Sequence, residues 1–304
     1  MRDILHYSAN EYWIASESGI HSINLENGTI KALQQKDSDP YSLSDNAAYT
    51  LFRDREGGIW CGTYFGGVNY YHDRHSYFRK YFRDDSQYSL SGKAVREICA
   101  DNSGNLWIGT EDAGLNKLDP RTGKVSRYAF PAVVSSTNIH ALLADGNELW
   151  VGTFQQGLDV LDLRTGKRLR HYNADPQRNG LPSNFIISAC KTKKGEVLLG
   201  TSQGVYRYHR ASQRFEPAPG FPEHIYVFSL YEDRAGCVWA GTIGNGLYYH
   251  QPGTGVKGNM RYDPNNSNGI SSNSICGIFE DSRRQLWIST EGADFADWTA
   301  ADDN

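Results

Sequence analysis

The sequence predicts an all-β fold, a β-propeller of four-stranded antiparallel blades, with six complete blades and the first two strands of a seventh. Three observations lead there. The stretch Leu106-Trp107-Ile108-Gly109-Thr110, followed by Glu111-Asp112-Ala113-Gly114-Leu115, recurs at 12–16, 59–63, 149–153, 197–201, 238–242 and 286–290. The copies centre on Trp13, Trp60, Trp107, Trp150, Leu198, Trp239 and Trp287, 41 to 48 residues apart, which suits a propeller blade and is too long for a horseshoe repeat. No 3.6-residue apolar period is present, while 19 Tyr, 7 Trp and 31 Gly favour strands and tight turns.

Each repeat reads as a meander of strands A to D, counted from the inside outward. Strand A is clearest at Val95 to Ala100, and Asp101-Asn102-Ser103-Gly104 is the hairpin to strand B, Leu106 to Thr110. Asp opening the turn and Gly near its end are the residues such a hairpin uses. Strand C restarts at Leu115, Leu158, Val205 and Leu247; strand D is expected at 124–130 and 167–172. The repeated Trp13, Trp60, Trp107, Trp150, Trp239 and Trp287 are assigned to the layer between blades. A buried indole of roughly 150–250 Å² contributes an upper bound of ~4–6 kcal/mol. Blade 5 has Leu198 instead, so looser packing is expected there.

The propeller is expected to occupy residues 1–292 as one domain. Residues 293–304 match no other copy. One allowed set of codons for 293–299, read two bases out of frame, gives Gly-Leu-Cys-Arg-Leu-Asp, the template of Gly114 to Asp119. A frameshift or truncation of a longer parent is therefore expected here. An incomplete last blade would leave a strand edge open to self-association.

Charge excludes some partners. Thirty-one basic and 35 acidic residues, a net charge of −4, are spread along the chain, so there is no basic stripe for nucleic acid. The five cysteines, Cys61, Cys99, Cys190, Cys237 and Cys276, lack ligand spacing and read as small buried apolar residues. No stretch approaches the ~18 apolar residues of a membrane span, and the N-terminus has no apolar signal-peptide run. By sequence alone the chain is cytoplasmic as it stands, or its original N-terminus is missing.

The segments 59–68 and 106–115, each preceded by Asp-x-x-Gly, resemble the two-component regulator propeller repeat. The linker 84–91, echoed at 37–44, does so too. This resemblance implies seven-bladed propellers, usually in tandem, forming the periplasmic sensor of hybrid two-component receptors in Bacteroidetes-type bacteria, many of which sense glycan breakdown products. It also implies downstream partners, namely a linker domain, a membrane helix, a histidine kinase, a receiver and a DNA-binding domain.

With strand A innermost, the B–C and D–A loops share the face where propellers bind ligands. The B–C loops offer Tyr64, Phe65, Glu111, Asp112, Phe154, Gln155, Gln156 and Asn245. Such a mixture suits a sugar, whose C–H face stacks on a ring while its hydroxyls take directional hydrogen bonds; ordinary exposed loop residues are the competing reading. The D–A loops 39–44, 175–180 and 263–269 recur, which favours a structural turn. His72 and His75 lack a third ligand, so neither a metal nor a cofactor is expected. Elements of quinone-dependent and streptogramin-lyase propellers are present only weakly, and no nucleophile elbow or phosphate loop is found. The expected function is a non-catalytic sensor propeller for an oligosaccharide or other small ligand. The alternatives are a propeller lyase or glycan hydrolase acting at the mouth, and a scaffold with no ligand of its own.

Overall fold

The computed structural model describes residues 1–36, 39, 41–72, 81–83, 89–128 and 130–292, together with the backbone of 296–298. His75, the residues 84–88 of the linker, and 293–295 and 299–304 of the tail lie outside the described residues. Among the described residues the structure is all-β: five four-stranded and two three-stranded antiparallel sheets, each paired in chain order as a meander. The chain divides into two compact units, Met1–Ser86 and Gln87–Asn304.

The first unit holds blade 1 (Asp3–Ser8, Glu11–Ser16, Gly19–Asn24, Ile30–Leu33) and blade 2 (Ala48–Arg53, Ile59–Thr63, Val68–Tyr71). Its core gathers Trp13, Ala15, Ile20, Ala48, Leu51, Ile59 and Cys61. The second unit holds five blades. Blade 3 is Val95–Ala100, Leu106–Thr110, Gly114–Leu118 and Val125–Tyr128, and blade 4 is Ile139–Asp145, Glu148–Thr153, Leu158–Asp162 and Arg168–Tyr172. Blade 5 is Ile186–Lys191, Val197–Thr201, Gly204–His209 and Arg214–Pro217, and blade 6 is Val227–Glu232, Val238–Thr242, Leu247–Gln251 and Val256–Met260. Blade 7 is Ile275–Glu280, Leu286–Thr290 and Ala296–Trp298. The last of these is a third strand, where the sequence pattern had stopped at two; it pairs Trp298 with Leu286 and Ala296 with Ile288.

Each letter of the repeat has a physical task. The Asp that opens the A–B hairpin does more than turn the chain: its Oδ2 accepts the Nε1–H of the Trp six residues on. This bond joins Asp54 to Trp60 (2.8 Å), Asp101 to Trp107 (3.0 Å), Asp233 to Trp239 (2.8 Å) and Asp281 to Trp287 (3.1 Å). Oδ1 of Asp101 meanwhile accepts the amides of Ser103 and Asn105. One carboxylate thus closes the turn and orients the indole. Hydrogen bonds from Trp60 and from Asn105 and Trp107 hold the Asp54 and Asp101 carboxyls below their usual range, against opposing burial at both. At the other end of strand B the Thr hydroxyl closes the B–C loop: Thr63, Thr110, Thr153, Thr201 and Thr242 donate to the carbonyl of Gly67, Gly114, Gly157, Gly204 and Gly246 at 2.6–3.0 Å.

The Gly of the motif sets the spacing of the blades. A Cβ on Gly152 would lie 2.7 Å from Ile186 Cγ2 and 2.9 Å from Ile186 O in the next blade, and 2.8 Å from Ala141 Cβ. Gly109, Gly200 and Gly241 abut Ile139, Val227 and Ile275 in the same way. Gly152→Val is expected to destabilise the chain by about 1–3 kcal/mol through overpacking. Chemical denaturation checks this, and an unchanged midpoint would remove the spacing role.

Burial of the Trp follows position in each unit. Trp13, Trp107, Trp150 and Trp239 are buried, but Trp60 is 42% exposed. Trp60 stands on the last blade of the first unit. The cysteines are all free, and Cys61 and Cys237 are buried as expected. Burial pushes the thiol of Cys99 up to about 12 and those of Cys61, Cys190 and Cys237 up to about 11. Cys276 departs from the expectation: it is exposed.

Candidate ligand-binding mouth

Strand A carries an irregularity at one place in blades 2 to 7. Val95 pairs with Thr110 and Glu97 with Gly109, leaving Arg96 between them unpaired. The same shift leaves out Tyr49, His140, Ile187, Phe228 and Cys276. A β-bulge frees one side chain from the ladder and re-aims it. Immediately beside five of these bulges, all but that of Ile187, sits the first residue of the B–C loop, tied by its amide to the carbonyl just before strand A: Tyr64 to Ala47, Glu111 to Ala94, Phe154 to Asn138, Ile243 to Tyr226 and Glu291 to Ser274, at 2.9–3.1 Å. Every blade so built presents a pair of side chains, one from the bulge and one from the loop.

In the second unit these pairs converge. The Arg96 guanidinium lies 4.6 Å from the centroid of the Phe228 ring, so strand A of blade 3 reaches strand A of blade 6. Arg96 Nε and His140 Nε2 each stand 3.7 Å from Glu111 Oε1. His140 stacks on Phe154 (centroids 5.2 Å apart, planes at 25°), and Phe154 meets Phe185 edge-on at 4.5 Å. Burial, and then the Arg96 charge, lower the His140 pKa, so the imidazole is neutral at pH 7. Burial, followed by the charge of Glu291, raises the Cys276 thiol, and the charge of Arg96 opposes it. The result is a rim of rings beside one cation, one carboxylate and a neutral imidazole. It can stack on a planar or C–H-rich face and exchange hydrogen bonds at its edge.

The first unit repeats the device with other chemistry. Arg2 is bonded to Glu17, and its guanidinium lies 4.5 Å over the Tyr49 ring. Tyr49 stacks on Tyr64 at 5.2 Å, and Tyr64 meets Phe65 edge-on at 4.3 Å.

The eight loop residues read from the sequence divide accordingly. Tyr64, Glu111 and Phe154 occupy the paired position, and Phe65 is 87% exposed beside Tyr64. The Asp112 carboxylate accepts the amide of Lys93 at 2.9 Å, which holds its pKa down. Gln155 adopts φ +71°, and the Gln156 amide donates to Thr153 Oγ1, so both serve the loop turn. The carbonyl of Asn245 accepts from Asn259 on strand D. Sequence reasoning missed Arg96, His140, Phe228 and Cys276, although aligning the second residue of strand A across the copies would have exposed its variability. The loops 175–180 and 263–269 are turns stapled by Asp175 and Asp263, whose carboxylates accept Arg178 and Asn265 amides. Among the described residues no three His, Cys, Asp or Glu side chains group as metal ligands.

Blades of fixed architecture with a variable rim define a repeat-built propeller. The model of the two-component regulator propeller family matches four stretches of the chain, residues 42–65, 89–112, 220–244 and 269–292. Among solved structures, it is similar to the extracellular domain of the hybrid two-component system BT3049 of B. thetaiotaomicron, at 23% identity and TM-score 0.63, over 96% of this chain and 39% of that one. The corresponding domain of BT4673 from the same organism aligns at 16% identity and TM-score 0.57, over 99% of this chain and 49% of that one. PorZ, a surface component of the type-IX secretion system of Porphyromonas gingivalis, aligns at 17% identity and TM-score 0.57, over 94% and 44%. These identities show a shared fold, and the chain spans less than half the length of each of the three. No curated protein matches. Among the described residues no helix is long and apolar enough to cross a membrane.

Proposed function

We propose that this chain is a ligand-recognition propeller from the periplasmic sensor part of a hybrid two-component receptor, that it has no catalysis of its own, and that its ligand is an oligosaccharide released by glycan breakdown. One observation carries this reading: within blades whose Trp, Gly and Thr repeat, the bulge and loop pairs differ from blade to blade. Arg96 stands with Glu111, His140 with Phe154, Phe228 with Ile243 and Cys276 with Glu291. Stability does not call for that variety, whereas recognition of an asymmetric ligand does. Rings beside charged and amphoteric groups suit a sugar, and the similarity to extracellular sensor domains supports the setting. The downstream receptor domains remain the partners through which a signal would leave.

Calorimetric titration of the purified chain with a panel of defined oligosaccharides tests the proposal. One class should bind saturably, and Arg96→Ala or Phe154→Ala should weaken it at least about tenfold, or 1.4 kcal/mol. Turnover of a bound glycan, or affinity indifferent to both substitutions, would overturn it.

A further inference from the structure

A cavity of about 310 Å³ lies between blades 5 and 6, remote in chemistry from the mouth. Its position explains its origin. The strand-B Trp of a blade faces the following blade: Trp107 packs among Leu142, Leu149 and Leu161, Trp150 against Val197 and Leu199, and Trp239 against Leu286 and Ile288. Blade 5 lacks both halves of the usual clip. Leu198 replaces the Trp, and Thr192 replaces the Asp, its hydroxyl accepting the Glu196 amide at 3.1 Å instead. The sheets do not close over the loss, because Gly200 still abuts Val227. Rigid surroundings relax only in part around a smaller side chain.

We propose that this cavity is a binding site for a small planar aromatic molecule of one or two fused rings. Its lining includes Leu198, Ala218, Phe221 and Val238, together with Arg207 and His250. The cation is placed by register. In blade 3, Lys117 pairs across the strands with Trp107, and its ammonium lies 5.1 Å from the ring centroid. In blade 5, Arg207 pairs across from Leu198 in the same slot, held by Glu196 at 2.8 Å. A ring entering the cavity therefore meets a guanidinium where a native indole meets an ammonium. The rings of Phe221 and His250, 6.1 Å apart at 83°, add an edge-on wall. Size agrees, since an apolar cavity of about 150 Å³ already holds benzene. This inference is independent of what the mouth binds.

Indole is the probe, titrated into the whole chain by calorimetry and followed by methyl resonances in NMR. One molecule should bind saturably, shifting the signals of Leu198, Ala218 and Val238. Leu198→Trp, which supplies the missing ring, should weaken binding at least about tenfold while melting no lower than the parent. Ala218→Leu narrows the same cavity and serves as a second variant should the first not fold. Absence of saturable binding, shifts centred elsewhere, or undiminished affinity in the folded filled variants would overturn the proposal.

Discussion

Trp107→Ala is expected to destabilise the chain by about 3–5 kcal/mol, the range for emptying a large aromatic site. Trp107 has no exposure and packs across the boundary between blades 3 and 4. It also donates to Asp101 Oδ2, which lies 3.9 Å from Lys117 Nζ. Truncation would therefore empty the inter-blade layer and leave a buried carboxylate short of a donor. Trp107→Phe separates the two effects when compared with Trp150→Phe. Trp150 is equally buried, yet among the described residues its Nε1–H meets no acceptor, since the shorter hairpin of blade 4 commits Asp145 to Lys191 and Arg210. The Phe substitution should cost about 1.5–3 kcal/mol more at 107 than at 150, the worth of a hydrogen bond to a charged group. Denaturant titrations measure both; equal costs would mean that the Asp–Trp bond contributes nothing net.

Asp159→Ala ranks second, at about 3–5 kcal/mol. Asp159 is completely buried in strand C of blade 4. It accepts the Ser135 amide at 2.6 Å and the Ser135 hydroxyl at 2.7 Å, and it meets His171 Nδ1 at 2.8 Å and Arg168 at 3.4 Å. The D–A loop is thereby pinned to the blade. Asn69 and Asn116 fill the same slot in blades 2 and 3, where they accept the amides of Ser44 and Ser91 at 2.9 Å. Asp159→Asn keeps an acceptor for Ser135 and should cost only about 1–2 kcal/mol. Denaturation midpoints ordered otherwise, with Asn as damaging as Ala, would locate the energy in the charge and leave little to the loop anchor.

These slots also show what a single sequence discloses. Trp, Gly and Thr were legible because they recur, and recurrence at a blade-length period reports architecture directly. The strands followed, with strand D of blade 3 shorter than expected at Val125–Tyr128. Partnerships were not legible. Asp101 was read as a turn residue because turn chemistry explains an Asp there completely, and nothing local announces a second bond six residues away. The bulged side chains beside the B–C loops were not legible either. Strict alternation along Val95-Arg96-Glu97-Ile98 gives Arg96 the orientation of Ile98, but a bulge interrupts the alternation at Arg96. Asp112 was assigned to the mouth for its charge, and its charge is spent on the amides of Lys93 and Ala94.

The bulge has a bearing on how such a chain can change. A residue skipped by the ladder gives up no strand pairing when it is replaced, and its neighbours Ile139 and Ala141 keep their partners whatever stands at His140. Side chains as unlike as Arg, His, Ile, Phe and Cys already share this position within one unit. New specificities can thus be written at that position, one blade at a time, on a frame that does not register the edit.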